Sequence, residues 1–369
     1  MKIGRLKAIV TTAFLACGVS SGTVSAANMP AYYPENYDTM IEASKDEGSL
    51  LIYSNIAEYN WREVFGDFSA KYPWIKIESI DLGPSTSFER YYSEHSVGKR
   101  TADLIVTGAP DGWHRFASKG ALAPYVSPED DQLPDWSRSL PGLYTVSTDP
   151  MIIIYNKLLL RDAPSSLKAL QALAAENGRY RDKVTTYNAT SNSFAYDIHW
   201  SVAKAFGDKA WSLFDELGSV TRSESGGSAM VEKVTSGEYV AGYFVSGITV
   251  FPRMSQTGRS KIMGWSLIED GTPVFRREMG VTAGAKSPNS ARLMLDYILS
   301  HEGQVAVGKS GLTPYRSDIK KGEVPYLSYE MIVDAVGEQN IIHVDYDSES
   351  YAERDKFLAR WKQAFRIKN

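Results

Sequence analysis

Small hydroxyl, amide and glycine residues recur where an apolar run gives way to a helical pattern. They form Ser54-Asn55, Ser85-Thr86-Ser87, Asn188 with Thr190-Ser191, and Ser225-Gly226-Gly227-Ser228, while Thr107 and Ser246 end two further runs. Such groups at a helix start donate hydrogen bonds into a weakly positive field, each helix contributing about 0.3 to 1 kcal/mol toward an anion. The chemistry is recognition of phosphate, phosphonate or carboxylate oxygens. Gly226-Gly227 lets backbone N–H groups approach a ligand closely, and Ser228 can cap. The same residue types are ordinary helix caps, so the recurrence, not any one position, carries the reading. Asp111 suits either a cap or a contact to an amine. Arg276, Arg277 and Arg316 are candidate anion clamps, because guanidinium pairs bidentately with phosphate or carboxylate.

The elements that must position these residues alternate. From Ser49 onward the order is SLLIYSN, WREVFGDFSAKYP, WIKIESID, FERYYSEHSVGK, ADLIVTG and DGWHRFASKG, which predicts βαβαβα and a parallel sheet covered by helices. After the Pro-rich APYVSPEDDQLP, the run GLYTVSTDPMIIIYNK predicts two β segments broken at Asp149-Pro150 and a crossing into a second α/β lobe. TPVFRREMGVTAGA is a long β pattern suited to the return. SPNSARLMLDYILSHEGQVAVG then predicts two helices packing on the first lobe. Two crossings make a hinge, placed near residues 145–154 and 273–284 as the only β connections. The Tyr91-Tyr92 pair, Tyr243 and Phe244 read as core or cleft wall.

Composition narrows the function classes. A net charge of -4 over 369 residues, with no basic run interleaved with aromatics in the mature region, argues against nucleic acid. Lys2, Arg5 and Lys7, the apolar run Ala8 to Ala16 and the small residues ending at Ala26 predict an export signal over residues 1–26. Cys17, the only cysteine, follows Phe14-Leu15-Ala16, so lipid anchoring there competes with cleavage after Ala26. Cleavage leaves a chain without thiol catalysis, cysteine metal sites or internal disulfides. His95, His114, His199, His301 and His343 show no metal-ligand spacing. No GxSxG, Walker or GxGxxG motif follows a strand. These observations predict no catalytic residues, no metal and no cofactor.

The ordered runs EGSLLIYSN, KYPWIKIE, ADLIVTGAPDGWHRFASKGALAPY, IIIYNK, SGEYVAGYFVSG and GAKSPNSARLMLDYILSHEGQ resemble the periplasmic solute-binding proteins of ABC importers, iron(III)-type branch. The likeness runs from about Glu47 to Tyr315. It implies an α/β, two-lobed periplasmic-binding-protein fold of type II, with two β crossovers forming a hinge. It also implies a monomeric periplasmic receptor that delivers a small molecule to an inner-membrane ABC permease with its ATPase. Ferric members bind metal through two adjacent tyrosines after the strand matching GEYVAGYFV, where this chain has Ser246-Gly247-Ile248. The histidine expected after the first strand is replaced by Asn55-Ile56-Ala57, and Thr107-Gly108 stands where an acidic ligand is expected. Ferric iron prefers anionic oxygen donors, so bare iron is not the expected ligand.

The expected organisation is residues 27–146 with 274–314 as the first lobe, 147–273 as the second, and 315–369 as a C-terminal helical segment packing on both. The expected ligand contacts are Ser54, Asn55, Ser85, Thr86, Ser87, Thr107, Asn188, Ser191, Gly227, Ser228 and Ser246. The expected solute is a small organic anion. A polyol or chelated ferric iron in the same fold, or an exported hydrolase or lyase, remain the alternatives.

Overall fold

The structure is a computed structural model describing residues 29–367 apart from 177, 192, 255, 257 and 345–347. The expected signal segment and Cys17 lie outside the described residues. Among the described residues ten strands form one sheet, eight along the hydrogen-bonded path β2-β1-β3-β9-β4-β7-β5-β6, with β10 on β9 and β8 on β4 off that path. In chain order they are β1 (Ser49–Ser54), β2 (Lys76–Asp81), β3 (Leu104–Thr107), β4 (Leu143–Asn156) and β5 (Val184–Tyr187). There follow β6 (Thr221–Glu224), β7 (Ala241–Ser246), β8 (Met263–Ser266), β9 (Thr272–Val281) and β10 (Ile341–Val344).

The first lobe follows the expected alternation. β1 pairs parallel with β2 and with β3, through helices Arg62–Lys71 and Thr86–Ser96. β1 is apolar on both faces because helices cover both, and Leu50 and Ile52 point into one core while Leu51 and Tyr53 point into another. The second lobe repeats the scheme, with β5 parallel to β6 and to β7.

The two long strands run through both lobes. β9 lies antiparallel to β3 and then to the first half of β4, whose second half pairs with β7 and β8. The break expected at Asp149-Pro150 is absent, and β4 is one strand of 14 residues. Pro150 has no N–H to donate, and it stands where the chain stops pairing with β9 and begins pairing with β7, so little is lost there. The C-terminal segment adds a third passage that the expectation of two β connections omits. Tyr329 packs in the first-lobe core, β10 then pairs parallel with the start of β9, and Phe357 packs on Trp211 and Trp361 on His199 in the second lobe. Among the described residues no helix is long and apolar enough to cross a membrane.

Candidate functional site

The strand ends of both lobes meet around one buried ion pair. Arg277 on β9 donates from Nη2 to Asp149 Oδ2 at 2.9 Å and from Nη1 to Asn55 Oδ1 at 3.3 Å, so a single guanidinium joins the end of β1 to the crossing strand. Asp149 also accepts from Ser246 Oγ at 2.7 Å and from the Ile248 N–H at 3.3 Å, which ties in the end of β7. Phe194 covers the guanidinium at 5.7 Å and packs on Tyr187 and Phe275. Burial raises the Tyr187 phenol, as does the Asp149 charge, while the Ser246 backbone and Arg277 and Arg253 charges oppose the rise. The floor is therefore charge-compensated and closed to water.

A different arginine faces the opening. Arg253 lies one helical turn beyond Thr249 and folds back, donating from Nη1 to Thr249 O at 2.7 Å and from Nη2 to Ser228 Oγ at 2.9 Å. It has no carboxylate partner among the described residues. Ser228 is exposed in the first turn of helix Gly227–Ser236, so cation and helix start share one place. Gly227 is fixed by packing: a Cβ there would stand 2.5 Å from the Tyr187 hydroxyl. Beyond Arg253 opens a cavity of 390 Å³ that Tyr59, Arg62 and Lys309 line from the first lobe.

The bacterial extracellular solute-binding protein family model matches residues 53–305. The chain belongs to that family. This solute-binding protein is thereby a component of an ABC importer and a transport receptor, not an enzyme. Its fold matches a substrate-binding protein of an ABC transporter from Agrobacterium tumefaciens with TM-score 0.75 at 19% identity, covering 88% of this chain and 96% of that one. It also matches AfuA from Actinobacillus pleuropneumoniae with fructose-6-phosphate bound, at TM-score 0.66 and 20% identity, covering 87% and 99%. Iron-bound HitA from Pseudomonas aeruginosa matches at TM-score 0.64 and 16% identity, covering 86% and 99%. No curated protein sequence matches.

In this solute-binding protein the residues singled out from sequence divide by what their polar atoms do. Ser54 is buried, and its Oγ accepts from the Ile56 N–H at 2.9 Å and Trp61 Nε1 at 3.2 Å. Thr107 is buried and donates to Pro84 O at 3.3 Å, Ser87 is buried under its own helix start, and Ser246 is engaged by Asp149. Asn188 closes a local turn by accepting from the Thr190 N–H and hydroxyl, and Ser191 donates to Asn188 O. Ser85, Thr86, Ser225 and Ser228 are exposed, and Asn55 is half-buried.

The three candidate clamps also separate. Arg316 is buried against Glu129 and Asp318, which hold its guanidinium firmly charged despite burial. Arg276 donates to Trp136 O, and only Arg277 reaches the junction. Sequence reasoning passed over Arg253, Tyr187, Phe194 and Asp149. The available signal for Arg253 was its four-residue spacing from Thr249, which returns a long side chain toward the end of β7. Tyr91, Tyr243 and Phe244 are core. Among the described residues no group of three or more His, Cys, Asp or Glu could hold a metal ion.

Proposed function

We propose that this receptor captures a small organic anion, phosphorylated, phosphonate or carboxylate, in the periplasm and hands it as a monomer to the inner-membrane permease and its ATPase. The observation that carries the reading is Arg253, a cation without a carboxylate partner among the described residues, hydrogen-bonded to Ser228 at a helix start. Guanidinium and helix N–H groups both favour an anion, and their effects add at one point. The proposed direct contacts are Asn55, Ser85, Thr86 and Ser228 with Arg253. Ser54, Ser87, Thr107, Asn188, Ser191, Gly227 and Ser246 shape the walls behind them. The proposed lobes keep the limits 27–146 with 274–314, and 147–273. The fructose-6-phosphate bound by AfuA is in keeping with a phosphorylated solute.

Within the iron(III)-type branch this chain is proposed as a member that does not take bare iron. Ser246, Gly247 and Ile248 are all buried where the paired tyrosines would stand, and Ser246 is already engaged by Asp149. A thermal-shift and calorimetry panel of phosphorylated, phosphonate and carboxylate solutes against neutral polyols and ferric citrate tests the reading. An anion is expected to bind, and Arg253→Gln is expected to weaken it tenfold to a hundredfold, because a hydrogen bond to a charged group is worth about 1.5 to 3 kcal/mol. Binding of a polyol or of ferric citrate alone would contradict it.

A further inference from the structure

The cavity beside Arg253 is bounded by both lobes. From the first come Tyr59, Arg62, Glu63 and Lys309, and from the second Pro252 and Arg253. The walls touch at its edge, where a Cβ on Gly311 would stand 2.4 Å from Pro252 Cγ. Arg253 lies 5.9 Å from the Tyr59 ring centre, so its charge is held at the boundary between the lobes. Arg62, Arg253 and Lys309 form no ion pair among the described residues, and Glu63 is the single carboxylate in the lining. Three cations against one carboxylate leave two positive charges in 390 Å³. Like charges brought together oppose approach of the walls that carry them, and an anion between them reverses the sign.

We infer that this cavity is the end of the cleft that takes a dianionic phosphoryl group, phosphate monoester or phosphonate, bound by Arg253 from one lobe and by Arg62 and Lys309 from the other. The inference rests on the anion reading above and narrows it. A phosphoryl group carries between one and a half and two negative charges near pH 7, matching the excess, whereas a single carboxylate leaves one cation unanswered. Its three acceptor oxygens can serve three cationic groups at once, and two planar guanidiniums suit its geometry. The anion is then what holds the lobes together, because each wall supplies cations that repel the other until it arrives.

Calorimetry with inorganic phosphate, α-glycerophosphate and glycerate as probes, at pH 7.5 and pH 5, separates the cases. The expected result is α-glycerophosphate binding at least ~10 times more tightly than glycerate at the higher pH. At the lower pH the advantage should shrink, because the phosphoryl group takes up its second proton near pH ~6. The double variant Arg62→Gln/Lys309→Gln should lose that preference, with circular dichroism and thermal unfolding reporting that it is folded. Arg253→Gln should weaken every anion. If the double variant keeps the wild-type preference, or glycerate binds as tightly as α-glycerophosphate, the inference falls and the anion reading stands. If none of the three anions binds the wild-type protein, both fall.

Discussion

Arg277 and Asp149 form an ion pair at 2.9 Å with both side chains buried, on the two strands that run through both lobes. The pair also holds Asn55, Ser246 and the Ile248 N–H, so it joins the ends of β1 and β7 across the two long strands. Removing one partner of such a pair strands a buried charge, which costs about 3 to 5 kcal/mol. Denaturant unfolding of Arg277→Met and Asp149→Leu should each show a loss of that order. The double substitution should lose less than either single one, since it strands no charge. Additive losses would mean that the two side chains are not coupled.

Gly227 is the second point where packing sets the outcome. Any Cβ there meets the Tyr187 hydroxyl at 2.5 Å, so Gly227→Ala should destabilise the unliganded protein by about 1 to 3 kcal/mol. Removing the hydroxyl with Tyr187→Phe should recover much of that loss in a double-mutant cycle. A fully additive cycle would show that the strain is relieved elsewhere. A substitution at Gly227 therefore reports on the fold as well as on ligand approach.

His199 predicts an acid limit to stability. Its Nδ1 lies 2.9 Å from Ala195 O, its Nε2 has no hydrogen-bond partner among the described residues, and Phe214, Phe244, Trp361 and Phe365 surround the ring. Burial lowers its pKa to about 4, with the hydrogen bond to Ala195 opposing. The folded pKa lies below the unfolded value of about 6.5, so the unfolded chain binds the proton first. Stability is full above pH ~6.5 and falls with pH down to about 4, by roughly 3 kcal/mol from this group. Wild type should lose stability relative to His199→Phe by about that amount as pH falls through that window. A difference independent of pH would contradict the burial argument.

Much of the first lobe was legible because β1, β2 and β3 alternate with helices of ordinary length, and the apolar runs are bounded by turn residues. The continuity of β4 was not legible, because a proline reads locally as a break and only the change of partner strand makes it harmless. Arg276 and Arg277 are adjacent, so strand alternation sends them to opposite faces, but which face meets the other lobe depends on long-range pairing with β4. Hydroxyl residues such as Ser54 and Thr107 were legible as polar strand ends, but the spacing alone did not show that Ser54 is taken by Ile56 and Trp61 just beyond its strand, or Thr107 by Pro84. Arg253 escaped because it sits at the far end of its helix and acts by reaching back.

Iron provides a direct contrast with the metal-binding relatives. Titration with ferric nitrilotriacetate should produce no intense visible absorption, since no paired phenolates follow β7. A strong charge-transfer band with thermal stabilisation would show that tyrosines elsewhere assemble a ferric site.

The most direct test of the anion receptor is native mass spectrometry of protein freshly isolated from its own host, without added ligand. The account predicts a single non-covalent adduct whose mass, after release, identifies a phosphorylated, phosphonate or carboxylate solute, and its absence from Arg253→Gln prepared alongside. An adduct of iron or of a neutral polyol, retained by Arg253→Gln, would contradict it.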